Sequence, residues 1–96
     1  MNRDLALKVL RACLPHLQNR YGVTRLGLFG SVARDEASPE SDVDILVAFD
    51  GPATSERYFG VQFHLEDALG RPVDLVTDKA LRRELRSFVE EGMARV

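Results

Sequence analysis

Two carboxylates two residues apart, close to a glycine-serine turn, form the part of this sequence whose residue types indicate chemistry. Asp42 and Asp44 begin an apolar segment, and residues i and i+2 of a β-strand lie on the same face. Like charges that close repel each other unless a cation lies between them. Gly30 and Ser31 follow another apolar run and are expected to open a short helix, whose free N–H groups favour phosphate. The pattern therefore predicts a site for a hard divalent cation and a nucleoside triphosphate.

The glycine-serine turn carries little weight without the acids. It lacks the Gly-Lys-Ser/Thr of a Walker loop and the three glycines of a dinucleotide fingerprint. Asp74 is a third candidate because it interrupts the apolar strand 73–76, where an unpaired carboxylate would be costly to bury. If this strand lies beside that of Asp44, Asp74 either shares the cation site or accepts the proton of an attacking hydroxyl. Two metal ions about 3.5–4 Å apart would then activate the nucleophile and stabilise the leaving pyrophosphate. A solvated or salt-bridged edge residue is the alternative.

A small sheet covered by helices would position these residues, and the patterns predict one. Strands are expected at 24–29, 43–49 and 72–76, where β-branched and apolar residues dominate. Helices are expected from residue 3 to about 13, from Pro15 to before Gly22, from 30 to 34, from 55 to 69 and from 78 to about 92. The predicted fold class is α+β, with a mixed sheet of three or more strands flanked by helices in one domain spanning residues 1–96.

Composition excludes several function classes. A formal net charge of −2 argues against a basic nucleic-acid surface. Cys13 is the single cysteine, so neither an internal disulfide nor a zinc cluster is possible, and we expect a small buried apolar residue there. No apolar run is long enough for a signal peptide core or a membrane span. We therefore expect a cytoplasmic protein that binds neither nucleic acid nor membrane directly.

The motifs together resemble those of the minimal nucleotidyltransferases, members of the DNA polymerase β-like superfamily that include the antitoxin partners of HEPN toxins. The resemblance rests on 28–36, which reads Leu-Phe-Gly-Ser-x-Ala-Arg-x-Glu, on 41–47, which reads Ser-Asp-x-Asp-Ile-Leu-Val, and on the strand 73–76. It implies the polymerase β-like fold, with ATP as the nucleotide. It further implies that Gly30 and Ser31 hold the triphosphate and that three acids bind Mg²⁺: Asp42, Asp44 and Asp74.

The resemblance also makes Asp74 the expected base for the incoming hydroxyl. Many relatives have glycine where this chain has Asp35, a loop variation that should be tolerated. Arg34 is a candidate for contacting the phosphates, with an ion pair to Glu36 or Asp42 as the alternative. Glu36 is expected to orient a neighbour rather than to bind metal.

Three functions follow from this reading. The first is Mg²⁺-dependent transfer of AMP from ATP to a hydroxyl acceptor, which the resemblance identifies as a tyrosine of a partner HEPN toxin. The second is a non-catalytic antitoxin that neutralises its partner by occlusion. The third is a nucleotidyltransferase acting on a small molecule such as an antibiotic, which is disfavoured because this chain shows no domain to hold such an acceptor. Homo- or hetero-oligomers are compatible with all three.

Overall fold

The computed structural model describes residues 1–38, 40–81, 89 and 92–96. Within these ranges the chain forms three helices and four strands. The helices are α1 (Arg3–Tyr21), α2 (Gly30–Ala33) and α3 (Ser55–Leu69), and the strands are β1 (Val23–Phe29), β2 (Val43–Phe49), β3 (Val73–Thr77) and β4 (Ala94–Arg95). This confirms the predicted α+β class and the three predicted strands. Of the helix expected from 78 to about 92, residues 78–81 form a turn instead, and most of the remainder lies outside the described residues. The strand β4 was not predicted.

The four strands form one mixed sheet in the order β3-β2-β1-β4. β1 runs antiparallel to both β2 and β4, whereas β2 and β3 are parallel. The parallel pair is connected through α3, since parallel neighbours need a long crossover that is usually helical. The prediction of a mixed sheet is therefore confirmed, with the acid-bearing strands β2 and β3 as neighbours.

The hydrophobic core lies between one face of the sheet and the helices α1 and α3. Alternation along β2 directs Val43, Ile45 and Val47 into this core, where each is completely buried. Both helices contribute an apolar stripe at helical spacing: Ala6, Leu7, Leu10, Cys13 and Leu17 from α1, and Val61, Leu65 and Leu69 from α3. Cys13 is buried as expected, and its surroundings raise the pKa of the thiol by desolvation. The alternate residues of β2, including Asp44, consequently face the other side of the sheet.

The prediction that Pro15 separates two helices was wrong, because α1 continues through it from Arg3 to Tyr21. A proline has no N–H to donate to the carbonyl four residues earlier, here that of Arg11. Both residues are exposed, so water can bind the freed carbonyl. The buried residues of α1 keep their helical spacing on both sides of Pro15, and burial of Leu17 in the core favours a continuous helix.

α3 also protects the exposed edge of the sheet. β3 is an edge strand, and side chains at four-residue spacing on α3 bind its outward backbone groups. Tyr58 donates to the Leu75 carbonyl, Gln62 donates to the Val73 carbonyl at 3.2 Å, and Glu66 accepts from the Val73 N–H at 3.0 Å. Thr54 caps this helix by accepting from the Arg57 N–H. These bonds hold β3, and therefore Asp74, against the rest of the fold.

Candidate active site

Asp44 and Asp74 are brought together by the parallel register of β2 and β3. Asp44 is the register partner of Asp74, just as Val43 pairs with Val73 and Ile45 with Leu75. Paired residues in neighbouring strands point to the same face, so both carboxylates lie on the face opposite the core. Asp44 is partly buried and Asp74 is exposed. The conditional prediction that Asp74 lies beside the strand of Asp44 is thus confirmed.

This pairing makes Asp44 hard to ionise. Burial, the charge of Asp74, a hydrogen bond shared with Asp74 and the charge of Asp42 together raise the pKa of Asp44 from 3.8 to about 6, while Arg34 opposes the rise. Two carboxylates that share a site cannot both be charged without cost. A cation between them would remove that cost, so the charge balance is the kind that a metal site produces.

Asp42 is the third acid of the predicted site. It precedes β2 and is exposed, and its charge reaches Asp44. Among the described residues, no three Asp, Glu, His or Cys side chains are arranged as a formed metal site. The donor set nevertheless suits Mg²⁺, which proteins usually hold with one or two carboxylates while phosphates and water complete the coordination.

The glycine-serine turn meets the acid pair at the end of β1. Phe29 is the register partner of Asp44, so the next residue, Gly30, begins α2 directly beside the Asp44 carboxylate. Gly30 has φ +73°, and a Cβ atom there would run into the carboxylate oxygens. Glycine is therefore required for two reasons, the left-handed backbone and the close approach. The structure thus places Gly30 against the Asp44 carboxylate, with Ser31 as the next residue of α2, and the phosphate-binding role of both residues stays a prediction.

Arg34 forms an ion pair with Glu36, one of the two acids named as its alternative partners. Its Nε donates to Glu36 at 3.1 Å, and both side chains are more than half exposed. An exposed pair of this kind contributes little to stability. The guanidinium nevertheless lies close enough to Asp44 to favour its ionised form. Glu36 is thus the partner of Arg34, and its orienting role stays a prediction, while Arg34 adds positive charge near Asp44.

Sequence reasoning missed the contact made by one residue near the site. Asp35, treated as a tolerated loop variation, is bonded to the start of α1 through the Arg3 N–H at 3.0 Å. No local pattern predicts a contact between residues so distant in sequence.

Of the aromatic residues of α3, Phe59 and Phe63 are exposed and stack on each other, whereas Tyr58 is half-buried.

The family of the chain is decided by comparison with known proteins. The family model of the nucleotidyltransferase domain matches residues 10–96, which include every candidate site residue. The chain belongs to this nucleotidyltransferase family. The resemblance drawn from the motifs is thereby confirmed, and the protein is a nucleotidyltransferase of the minimal, polymerase β-like type.

Full-length relatives agree with this assignment. The protein adenylyltransferase MntA of Thermococcus cleftensis is 40% identical over 81 residues, which cover 84% of this nucleotidyltransferase and 82% of the relative. A solved structure assigned as a minimal nucleotidyltransferase superimposes with a TM-score of 0.84 at 35% identity, covering 100% of this chain and 97% of the other. The fold class predicted from the sequence is confirmed by this superposition.

A more distant structure shares the fold alone. It contains a tri-AMPylated HEPN toxin of Shewanella oneidensis in complex with an MNT antitoxin. The matched chain is 23% identical with a TM-score of 0.60, over 98% of this nucleotidyltransferase and 67% of the other chain. No helix within the described ranges of this nucleotidyltransferase is long and apolar enough to cross a membrane.

Proposed function

We propose that this nucleotidyltransferase transfers AMP from ATP to a hydroxyl group of a partner protein, in a reaction that requires Mg²⁺. The observation that carries the proposal is the paired Asp44 and Asp74 carboxylates beside the Gly30 turn. A folding role does not account for this pair, because their proximity raises the pKa of Asp44 and so disfavours the charged form. The adenylyl group is inferred from the similar MntA protein, which is named a protein adenylyltransferase.

Each site residue has a role in this proposal. Gly30 allows the triphosphate to approach the backbone, and Ser31 offers a hydroxyl to a phosphate oxygen. Asp44 and Asp74, with Asp42 beside them, would hold Mg²⁺, which when bound supplies positive charge to stabilise the phosphate oxygens. Arg34, whose charge acts on Asp44, would add to that positive charge.

The group transfer needs one proton acceptor. The oxygen of the incoming hydroxyl forms a bond to the α-phosphorus, the bond from that phosphorus to the bridging oxygen breaks, and pyrophosphate leaves with the electron pair. Asp74 is exposed on the strand next to Asp44 and can accept the hydroxyl proton. Catalysis would then depend mainly on positioning and on charge stabilisation.

We propose a tyrosine of a HEPN toxin as the acceptor, with the antitoxin effect produced by its modification. The support is the distant relative whose HEPN partner carries three AMP groups. The experiment uses ATP labelled at the α-phosphate, the purified toxin partner and Mg²⁺, and mass spectrometry locates the label. Wild type should label a tyrosine, and Asp44→Asn should reduce transfer at least about a hundredfold.

Asp67→Asn is the matched control, since Asp67 is an exposed acid on α3 and should leave transfer unchanged. Full transfer by Asp44→Asn would refute the roles given to the acid pair. A label on a residue other than tyrosine would refute the acceptor but leave the reaction standing.

Neutralisation by occlusion remains the alternative for the biological effect. The triple variant Asp42→Ala, Asp44→Ala and Asp74→Ala distinguishes the two when it is produced at the wild-type level together with the toxin. Loss of neutralisation supports modification, whereas retained neutralisation supports occlusion. Antibiotic modification without any protein partner would instead support the small-molecule function.

A further inference from the structure

The turn that follows α2 has an aspartate where this geometry normally requires glycine. The Asp35 N–H donates to the Val32 carbonyl at 3.1 Å, and the Glu36 N–H donates to the Ser31 carbonyl at 2.8 Å. This pair of bonds is the Schellman pattern, in which the residue at the position of Asp35 is left-handed and usually glycine. Asp35 has φ +58° and, within the described residues, is the one non-glycine residue with positive φ. The side chain is therefore retained at a conformational cost.

The Asp35 carboxylate has a specific partner on another element. Its Oδ1 accepts from the Arg3 N–H at 3.0 Å, across 32 residues of sequence. Arg3 is the first residue of α1, and N–H groups in a first helical turn have no acceptor within the helix. The neighbouring cap, Asn2, uses its side chain for the Leu5 N–H instead. A negative charge at this end of α1 is also favourable to the helix dipole.

The tethered turn carries the residues assigned to the nucleotide. The Ser31 carbonyl and the Arg34 N–H both take part in its hydrogen bonds, the latter donating to the Gly30 carbonyl at 3.2 Å. Arg34 also donates to Glu36 within the same turn. Fixing Asp35 to α1 consequently fixes where Ser31 and Arg34 lie relative to the acid pair on β2 and β3.

We infer that Asp35 is a positioning residue for the nucleotide, acting by tethering the turn of Ser31 and Arg34 to the first residue of α1. The inference rests on the proposed function, because MgATP is the ligand that the turn would contact. Glycine at position 35 would satisfy the left-handed backbone without the tether. Relief of the left-handed backbone and loss of the tether change stability in opposite directions, so a role confined to stability predicts at most a change in Tm, whereas a positioning role predicts weaker binding of MgATP.

The test measures the Kd for MgATP by calorimetry and thermal stability in the absence of ligand. Losing one hydrogen bond of about 1 kcal/mol corresponds to about a fivefold change in affinity. We expect Asp35→Gly to weaken MgATP binding about fivefold with little change in Tm, because the relieved backbone strain offsets the lost hydrogen bond. Asp35→Asn retains an acceptor and tolerates positive φ, so it should bind within about twofold of wild type. Thr54→Ala removes the cap of α3 and should lower Tm without changing the Kd.

Equal Kd values for Asp35→Gly and wild type would overturn the inference. Binding by Asp35→Asn as weak as by Asp35→Gly would also overturn it, because the hydrogen bond would then not be the cause. Failure of the wild-type chain to bind MgATP would instead refute the proposed function, and the inference with it. The two failures are therefore distinguishable.

Discussion

Replacing Asp44 by asparagine should make the metal-free protein more stable at neutral pH while reducing its transfer activity at least about a hundredfold. Ionised Asp44 is destabilising because burial and the charges of Asp74 and Asp42 raise its pKa from 3.8 to about 6. Asparagine has nearly the same shape, carries no charge and can donate a hydrogen bond to Asp74. The variant thus removes an electrostatic cost and leaves the packing of β2 intact.

The size of this gain in stability follows from the raised pKa of Asp44. Each pKa unit corresponds to about 1.4 kcal/mol, so the rise of Asp44 to about 6 would cost about 3 kcal/mol of folding free energy if none of it were screened. Asp44 is only partly buried, and water screens its interactions. We therefore expect the free energy of unfolding to increase by about 1 to 2 kcal/mol, and Tm by about 4–16 °C for a domain of this size.

The stability of the metal-free wild type should fall as pH rises through the titration of Asp44. Between pH 3.8 and about 6 the folded chain binds the Asp44 proton more tightly than the unfolded chain does, so the wild type loses stability as pH rises through this window. Asp44→Asn has no such loss. Urea unfolding without metal should therefore give equal stabilities near the lower end of the window, and the full difference above its upper end. A variant less stable than wild type at neutral pH, or a difference independent of pH, would refute the reasoning.

Two further predictions concern the elements that position the site. Gly30→Ala should lower the free energy of unfolding by more than about 2 kcal/mol, because a left-handed alanine costs about 1 kcal/mol and its Cβ also meets the Asp44 carboxylate. Gly70→Ala is the control, since Gly70 has φ +67° but open space around its Cβ position. In the same urea titration, this control should show only the cost of the left-handed backbone. Tyr58→Phe should cost about 1 kcal/mol by removing the hydrogen bond to the Leu75 carbonyl on the sheet edge, and an unchanged urea midpoint would contradict that role.

Local sequence signals account for most of the fold. Alternation and β-branched residues predicted β2 at its observed bounds, and the spacing of apolar residues with Gly70 as a stop predicted α3 at its observed bounds. These signals work because strand and helix periodicity are properties of a short segment. Pro15 shows where the local rule fails, since burying the stripe of α1 outweighs one missing backbone bond at an exposed position.

The acid pair shows most clearly which features the sequence indicates and which the tertiary structure decides. The residue types and spacing of Asp42, Asp44 and Asp74, together with the glycine-serine turn, were sufficient to indicate divalent-metal and triphosphate chemistry, because few other roles tolerate such charges in apolar strands. Their proximity was only conditional, as it required β3 to pair with β2 in parallel, with Asp74 in register with Asp44. Strand order depends on packing α1 and α3 against the sheet, which involves residues far apart in sequence.

The sequence by itself determined which residues could do chemistry and most of the segments that would be helix or strand, but neither the unbroken α1 nor β4. The tertiary structure alone decided that Asp74 lies in register with Asp44, that α3 binds the open edge of β3, and that Asp35 reaches the start of α1. The physical reason is the same in each case. A backbone preference or an apolar period is encoded by neighbouring residues, whereas a hydrogen bond between distant residues exists only after the core has brought their elements together.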